Sequence, residues 1–136
     1  MGTIATDERK TTLFYNSENS LGKQTYSYVY GLDENLQAID LSKTKVTGTQ
    51  WATIAEGLEM PISNLINTKH PDFNSEYDNT ATLSDNDWIK VLNTKPKCLK
   101  APILIFQNTY YLINTPSEVE NIIKGKSEAF DARNSD

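Results

Sequence analysis

The stretch from Thr11 to Leu41 changes its apolar period twice, and no other feature constrains the fold as strongly. Thr11–Tyr15, "TTLFY", is a β-branched and aromatic run ended by Asn16 and Ser17, which predicts a strand. From Ser20 the apolar positions become Leu21, Tyr28, Val29 and Leu32, spacings that suit one helical face, with Ser20 as N-cap and Gly31 near the end. Leu36–Leu41, "LQAIDL", is strand-like again. Strand, helix, strand with short connections crosses over right-handed and leaves its two strands parallel. The polar turn inside that unit, "YNSENSLGKQTY", is the kind of strand-to-helix junction where small α/β proteins hold an anion or a nucleophile.

The rest of the chain supplies a helical insert and a closing hairpin. "GTQWATIAEGL" puts Trp51, Ile54, Ala55 and Leu58 on one face behind a Thr47/Thr49 cap region. "MPISNLI" reads as a short helix with Pro61 at its first turn, and "NTKHPDFNSEYDNTAT" as a loop without period. "LSDNDWIKVLNTKP" restarts a helix: Ser84 caps it, Asp85 and Asp87 suit the positive end of its dipole, Trp88, Val91 and Leu92 face inward, and Pro96 stops it. "APILIFQNTYYLI" predicts a tight hairpin with Asn108 at positive φ. "TPSEVENIIKG" predicts a last helix with Thr115 as cap, Pro116 first, Glu118 and Glu120 early, Val119, Ile122 and Ile123 inward, and Gly125 at the end. The order β-α-β, helical insert, β-β-α predicts a four-stranded mixed sheet flanked by helices, the layout of a thioredoxin-like fold. One domain over 1–136 is expected, with a core over 11–124 and polar tails at 1–10 and 125–136.

Charge and cysteine content narrow the function classes. A formal charge of −5 with no basic run argues against nucleic acid and anionic membranes, which need clustered cations. No apolar run approaches the roughly 20 residues of a membrane span, and the N-terminus has no apolar signal core. Gly2 and Thr6 fit the spacing of a myristoylation signal, but the acidic "DER" that follows does not help a membrane anchor. A single cysteine, Cys98, excludes an intrachain disulfide, a CxxC pair and a multi-cysteine metal site, and points to a reducing compartment, the cytoplasm. Asp85, Asp87, Glu76 and Asp78 lack the spacing of a calcium loop, so neither a metal site nor a cofactor is expected.

The segments "NTKPKCLKAPILIFQNTYYLINTPSEVENI" and "TLFYNSENSLGKQTYSYV" resemble the arsenate reductase family, a glutaredoxin-related group that includes the Spx-type regulators. Pro96, Ala101-Pro102-Ile103 and Thr115-Pro116 stand in the order of that family's motifs, and the likeness runs over roughly residues 11–124. The resemblance implies a cis bond before Pro102, with Pro102 facing the Tyr15–Gly22 turn. It also implies a thiolate at the first helix's N-terminus, where the helix dipole lowers its pKa. Asn19 stands at that position. Of the cations that the family uses to hold its oxyanion, the matching positions are Lys23, Asn67, Ala101 and Thr115, so one of four is kept. The resemblance therefore implies the fold with a degenerate site, and a non-enzymatic module that binds a small anion or a protein partner. The Asn16–Lys23 turn, the Pro102 segment and the Lys69–Phe73 loop are its expected contact surface. The alternative is a divergent thiol oxidoreductase or glutathione-linked reductase that acts without the usual cysteine.

Residue by residue, other chemistries compete at the same positions. Ser20, Gly22 and Lys23 beside a helix start make a generic anion site, or simply a cap and a solvated lysine. "SLGKQT" is not a phosphate loop, because Ser17 stands where its first glycine belongs and Gln24 follows the lysine. Ser20 as nucleophile needs a base, and the only histidine, His70, reads as a loop staple with Pro71 and Asp72. Cys98 reads as a buried structural residue, against a reactive thiol with a pKa lowered by Lys97 and Lys100. Tyr15, Tyr26, Tyr28, Tyr30, Tyr110 and Tyr111 read as core or edge packing, against a tyrosine-lined groove for a peptide or small molecule.

Overall fold

Thr11–Tyr15 forms strand β1, second in a four-stranded sheet of order β2-β1-β3-β4. The computed structural model describes residues 11–33, 35–78 and 80–125. The tails at 1–10 and 126–136, with Gly2 and Thr6, lie outside the described residues. Helix α1 (Ser20–Leu32) carries the chain to β2 (Leu36–Asp40), which pairs parallel with β1 from Thr11 opposite Leu36 to Tyr15 opposite Asp40. Helices α2 (Gly48–Gly57), α3 (Pro71–Asn74) and α4 (Asp85–Thr94) form the insert, with 3-10 turns at Ile62–Leu65 and Pro96–Cys98. Strand β3 (Ile103–Phe106) pairs antiparallel with β1 and with β4 (Thr109–Leu112), and helix α5 occupies 118–125. This is the β-α-β, insert, β-β-α order that the sequence predicts.

Period-two alternation splits the sheet's side chains between two cores. Phe14, Ile103 and Ile105 pack with Trp51, Ile54, Phe73, Trp88, Val91 and Leu92 under the insert. Leu13, Leu104 and Phe106 pack with Val29, Ile113, Val119 and Ile123 under α1 and α5. Asn93 locks the insert: its Oδ1 accepts from Trp51 Nε1 at 3.2 Å and from Val46 N–H at 3.2 Å, and its Nδ2 donates to Val46 O at 2.8 Å. The indole N–H is thus partnered although Trp51 is fully buried.

Four local expectations differ from the structure, and a fifth, positive φ at Asn108, is found there and extends to its neighbour. Asn19, not Ser20, caps α1, because its Oδ1 accepts from Gly22 N–H at 2.6 Å while the Ser20 hydroxyl accepts from Gln24 Nε2. The buried stripe of α1 is Gly22, Thr25 and Val29, and Tyr28 is 40% exposed, since the helix sits close to the sheet on its small residues. The stretch 67–82 is not a plain loop: Pro71–Asn74 is a helical turn with Phe73 fully buried, stacked 5.7 Å from Trp88 and 5.2 Å from Tyr77. In the hairpin turn Gln107 as well as Asn108 has positive φ, 51° and 63°, as a two-residue turn matched to strand twist requires. Helix α5 begins at 118, because Thr115–Ser117 form a preceding turn in which Glu118 Oε2 accepts from Thr115 N–H at 2.6 Å.

Candidate functional site

The sheet register gathers the candidate residues at one end. Tyr15 pairs with Asp40, Phe14 with Ile103, and Ile103 with Leu112. The turn after β1, the end of β2, the Ala101–Pro102 entry to β3 and the Ile113–Thr115 exit from β4 therefore share one edge. In an open α/β sheet that edge, beyond the carboxyl end of the central strand, is where ligands bind.

The turn itself is tied down by its own groups. Asn16 is 2% exposed, and its Oδ1 accepts from Glu18 N–H at 2.8 Å. Its carbonyl accepts from Asn19 N–H, and a β-carbon on Gly22 would lie 2.1 Å from that same oxygen. Glycine is therefore demanded at position 22 by the close approach of helix start to turn. Asn19 Oδ1 fills the acceptor place in front of the first N–H groups of α1. Ser20 and Lys23 are exposed.

A group that sequence reasoning missed joins this turn to β2. Asp40 Oδ1 accepts from Ser17 N–H at 3.1 Å, from Ser42 N–H at 3.1 Å and from the Ser42 hydroxyl at 2.8 Å, and the Ser17 and Ser42 hydroxyls are 3.2 Å apart. Partial burial works to raise the Asp40 pKa, but these hydrogen bonds outweigh it and hold the carboxyl below its ordinary value. The Asp40-x-Ser42 spacing is a legible side-chain turn, but its link to Ser17 requires the parallel register.

The Pro102 side of the edge is built by backbone pairing. Asn67 N–H donates to Cys98 O at 2.7 Å and Lys100 N–H to Leu65 O at 2.7 Å, around an Ile66–Leu99 bridge, and Pro102 O accepts from Ile113 N–H at 2.8 Å. The expected cis bond before Pro102 is absent: among the described residues every peptide is trans. An X–Pro bond prefers trans unless its surroundings select otherwise, and here the paired backbone on both sides of Ala101–Pro102 accommodates it. Ala101 and Pro102 are buried, Asn67 is half-buried and its Oδ1 accepts from Lys69 N–H, and Thr115 is exposed. His70 Nδ1 accepts from Asp72 N–H at 3.0 Å and so caps α3.

Cys98 is fully buried. Burial pushes its thiol up to about 11, Asp72 adds to the rise and Lys95 opposes it. The buried position agrees with the structural reading of Cys98 and not with its alternative, a thiol of lowered pKa beside Lys97 and Lys100, because desolvation of a thiolate outweighs the nearby cation.

No protein-family model matches the sequence, and no curated protein matches it either. Solved structures do. An arsenate reductase from Vibrio cholerae has a TM-score of 0.71 at 15% identity, over 85% of this chain and 99% of that one. A Yersinia pestis protein provisionally designated an arsenate reductase has a TM-score of 0.71 at 17% identity, over 82% and 99%. An arsenate reductase-related protein from Brucella melitensis has a TM-score of 0.59 at 14% identity, over 85% and 95%. Among the described residues no helix is long and apolar enough to cross a membrane. What this chain shares with those structures is the arsenate reductase-like form of the thioredoxin-like fold.

Proposed function

We propose that this chain is a catalytically degenerate protein on an arsenate reductase-like scaffold, working in the cytoplasm as a non-enzymatic module that binds a protein partner. Its contact surface is the Asn16–Lys23 turn with the Pro102 segment and the Lys69–Phe73 turn. The observation that carries this reading is the bond from Gly22 N–H to Asn19 Oδ1 at 2.6 Å. Where the reductase reaction needs a thiolate, this chain has an amide, which cannot attack arsenic or form a mixed disulfide. That amide also takes the helix-start donor that would otherwise face an anion.

A partner protein is favoured over a small anion by the charges around the turn. Asp40 accepts Ser17 N–H beside it, and Glu118 accepts the N–H of Thr115, where the family places an arginine. A thiol oxidoreductase is disfavoured because its thiol would have to be Cys98, buried and with a pKa of about 11. Two assays test the proposal. The purified protein is expected to show no turnover of arsenate with glutathione or a dithiol, and Asn19→Cys is expected to restore none, since Asn67, Ala101 and Thr115 still supply no cation. Turnover above background in the unaltered protein overturns the reading. Native Cys98 is expected to resist a thiol reagent and to react on unfolding; fast labelling of the folded protein reopens thiol chemistry. Partners retained by the unaltered protein are expected to be lost with Lys23→Glu, and an unchanged set removes the turn as contact surface.

A further inference from the structure

Away from the turn, at the other end of α1, lies a groove of about 460 Å³ lined by Tyr26, Tyr30, Asp33, Leu36 and Ala38. Its wall is aromatic. Tyr15 and Tyr26 stack at 5.0 Å, Tyr26 and Tyr30 meet at 5.8 Å with a tilt of 37°, and Tyr30 is 69% exposed. The exposed Tyr30 ring and the half-buried Tyr26 ring thus stand side by side along the groove. Among the described residues the one charged group in the lining is the Asp33 carboxylate, oriented by the Thr11 hydroxyl and by Asn35 N–H at 2.8 Å. Two phenol faces with a fixed carboxylate complement a cation, since ring faces and carboxylate are all negative in potential.

The floor of the groove sets the form of the ligand. Leu36 and Ala38 alternate on β2, so both project to the α1 side. Among the described residues β2 is an edge strand, and it carries no proline or lysine to block addition of another strand. A chain hydrogen-bonded to that edge would lie about 4.8 Å away and drop every second side chain against Tyr26 and Tyr30. We propose that this groove binds an extended peptide segment of a partner protein, added to the β2 edge, with a lysine or arginine side chain held by Tyr26, Tyr30 and Asp33. The site shares no lining residue with the Asn16–Lys23 turn, so it stands or falls separately from the reading of that turn.

A library of random heptapeptides selected on the folded protein tests it. Enriched peptides are expected to alternate β-formers with a lysine or arginine, and to shift the backbone amides of Leu36–Asp40. Tyr30→Ala, an exposed change that leaves the core intact, is expected to weaken them about fivefold. Tyr30→Phe should keep most of the binding, and Asp33→Asn should weaken basic peptides but not their glutamine analogues. N-methylation at alternate peptide positions should abolish binding in one register only. No enrichment, enrichment without a basic residue, binding indifferent to Tyr30→Ala, or shifts confined to Asn16–Lys23 each overturn the proposal.

Discussion

The two faces of the sheet are built to different standards. Under the insert, Phe14, Trp51, Phe73 and Trp88 are buried with Leu, Ile and Val around them, and partly buried groups such as Tyr77, Leu83 and Tyr110 close the margin. Among the described residues the core under α1 and α5 is smaller, and its margin includes half-buried Tyr15, Tyr26, Leu32, Leu36 and Tyr111. One face is closed by aromatic stacking within the core; the other leaves its rings at the rim. The larger buried aromatic groups therefore lie on the insert side, and the half-buried and exposed rings lie around α1.

The largest expected effect is on the insert face. Trp51→Ala removes a fully buried indole and the donor to Asn93, and should cost about 3–5 kcal/mol in urea unfolding. Val29→Ala, fully buried on the other face, should cost about 1–3 kcal/mol. Equal losses would break the contrast between the faces.

A glycine pair on α1 sharpens it next. A β-carbon at position 22 meets the Asn16 carbonyl oxygen at 2.1 Å and Asn19 Oδ1 at 2.9 Å, both fixed by hydrogen bonds. Gly22→Ala should therefore cost about 1–3 kcal/mol, by overpacking. At Gly31 a β-carbon meets nothing within 4 Å, so Gly31→Ala should stabilise the helix by about 0.5–1 kcal/mol. Opposite signs on one helix separate a close approach at the site end from open space at the groove end. Two changes of the same sign would mean that α1 moves freely over the sheet.

Why some of this was legible in the sequence follows from the range of each interaction. The strands and the insert helices announce themselves through local period, so Thr11–Tyr15, Leu36–Asp40 and Trp51-Ile54-Ala55 could be read directly. Phe73 could not, because its fate depends on a stack with Trp88 across the loop, while its neighbours are all turn formers. Tyr28 and Val29 are adjacent, and the choice between them was made by Gly22 and Thr25, which carry no apolar signal but let the helix sit close. Asn19 and Ser20 are both good caps, and only the 2.6 Å bond to Gly22 N–H separates them. The candidate site was legible on the α1 side as a turn. Its Asp40 partner was not, since the Ser17 link exists only once β1 and β2 are in register.

The smallest expected effect is the pH response of that link. Asp40 alternates with Leu36 and Ala38, so it belongs to the α1 side of β2, whereas Ile39 packs under the insert. Its folded pKa is depressed, so its contribution is present above the unfolded value of about 4 and is lost as pH falls through the folded one. Glu76, lowered by Lys95, and Asp78, lowered by Thr80, act in the same direction from the insert side. Global acid unfolding therefore mixes all three carboxylates, and amide exchange resolves them. Between pH 5 and pH 3, Ser17 and Ser42 amides should lose protection before Trp51 and Val91 do, because protonation weakens Asp40 as an acceptor while leaving the insert core dry. Asp40→Asn should flatten that early loss and leave the Glu76 and Asp78 share in place. Simultaneous loss on both sides would show that the two faces unfold as one unit, and that their difference in packing does not divide the molecule.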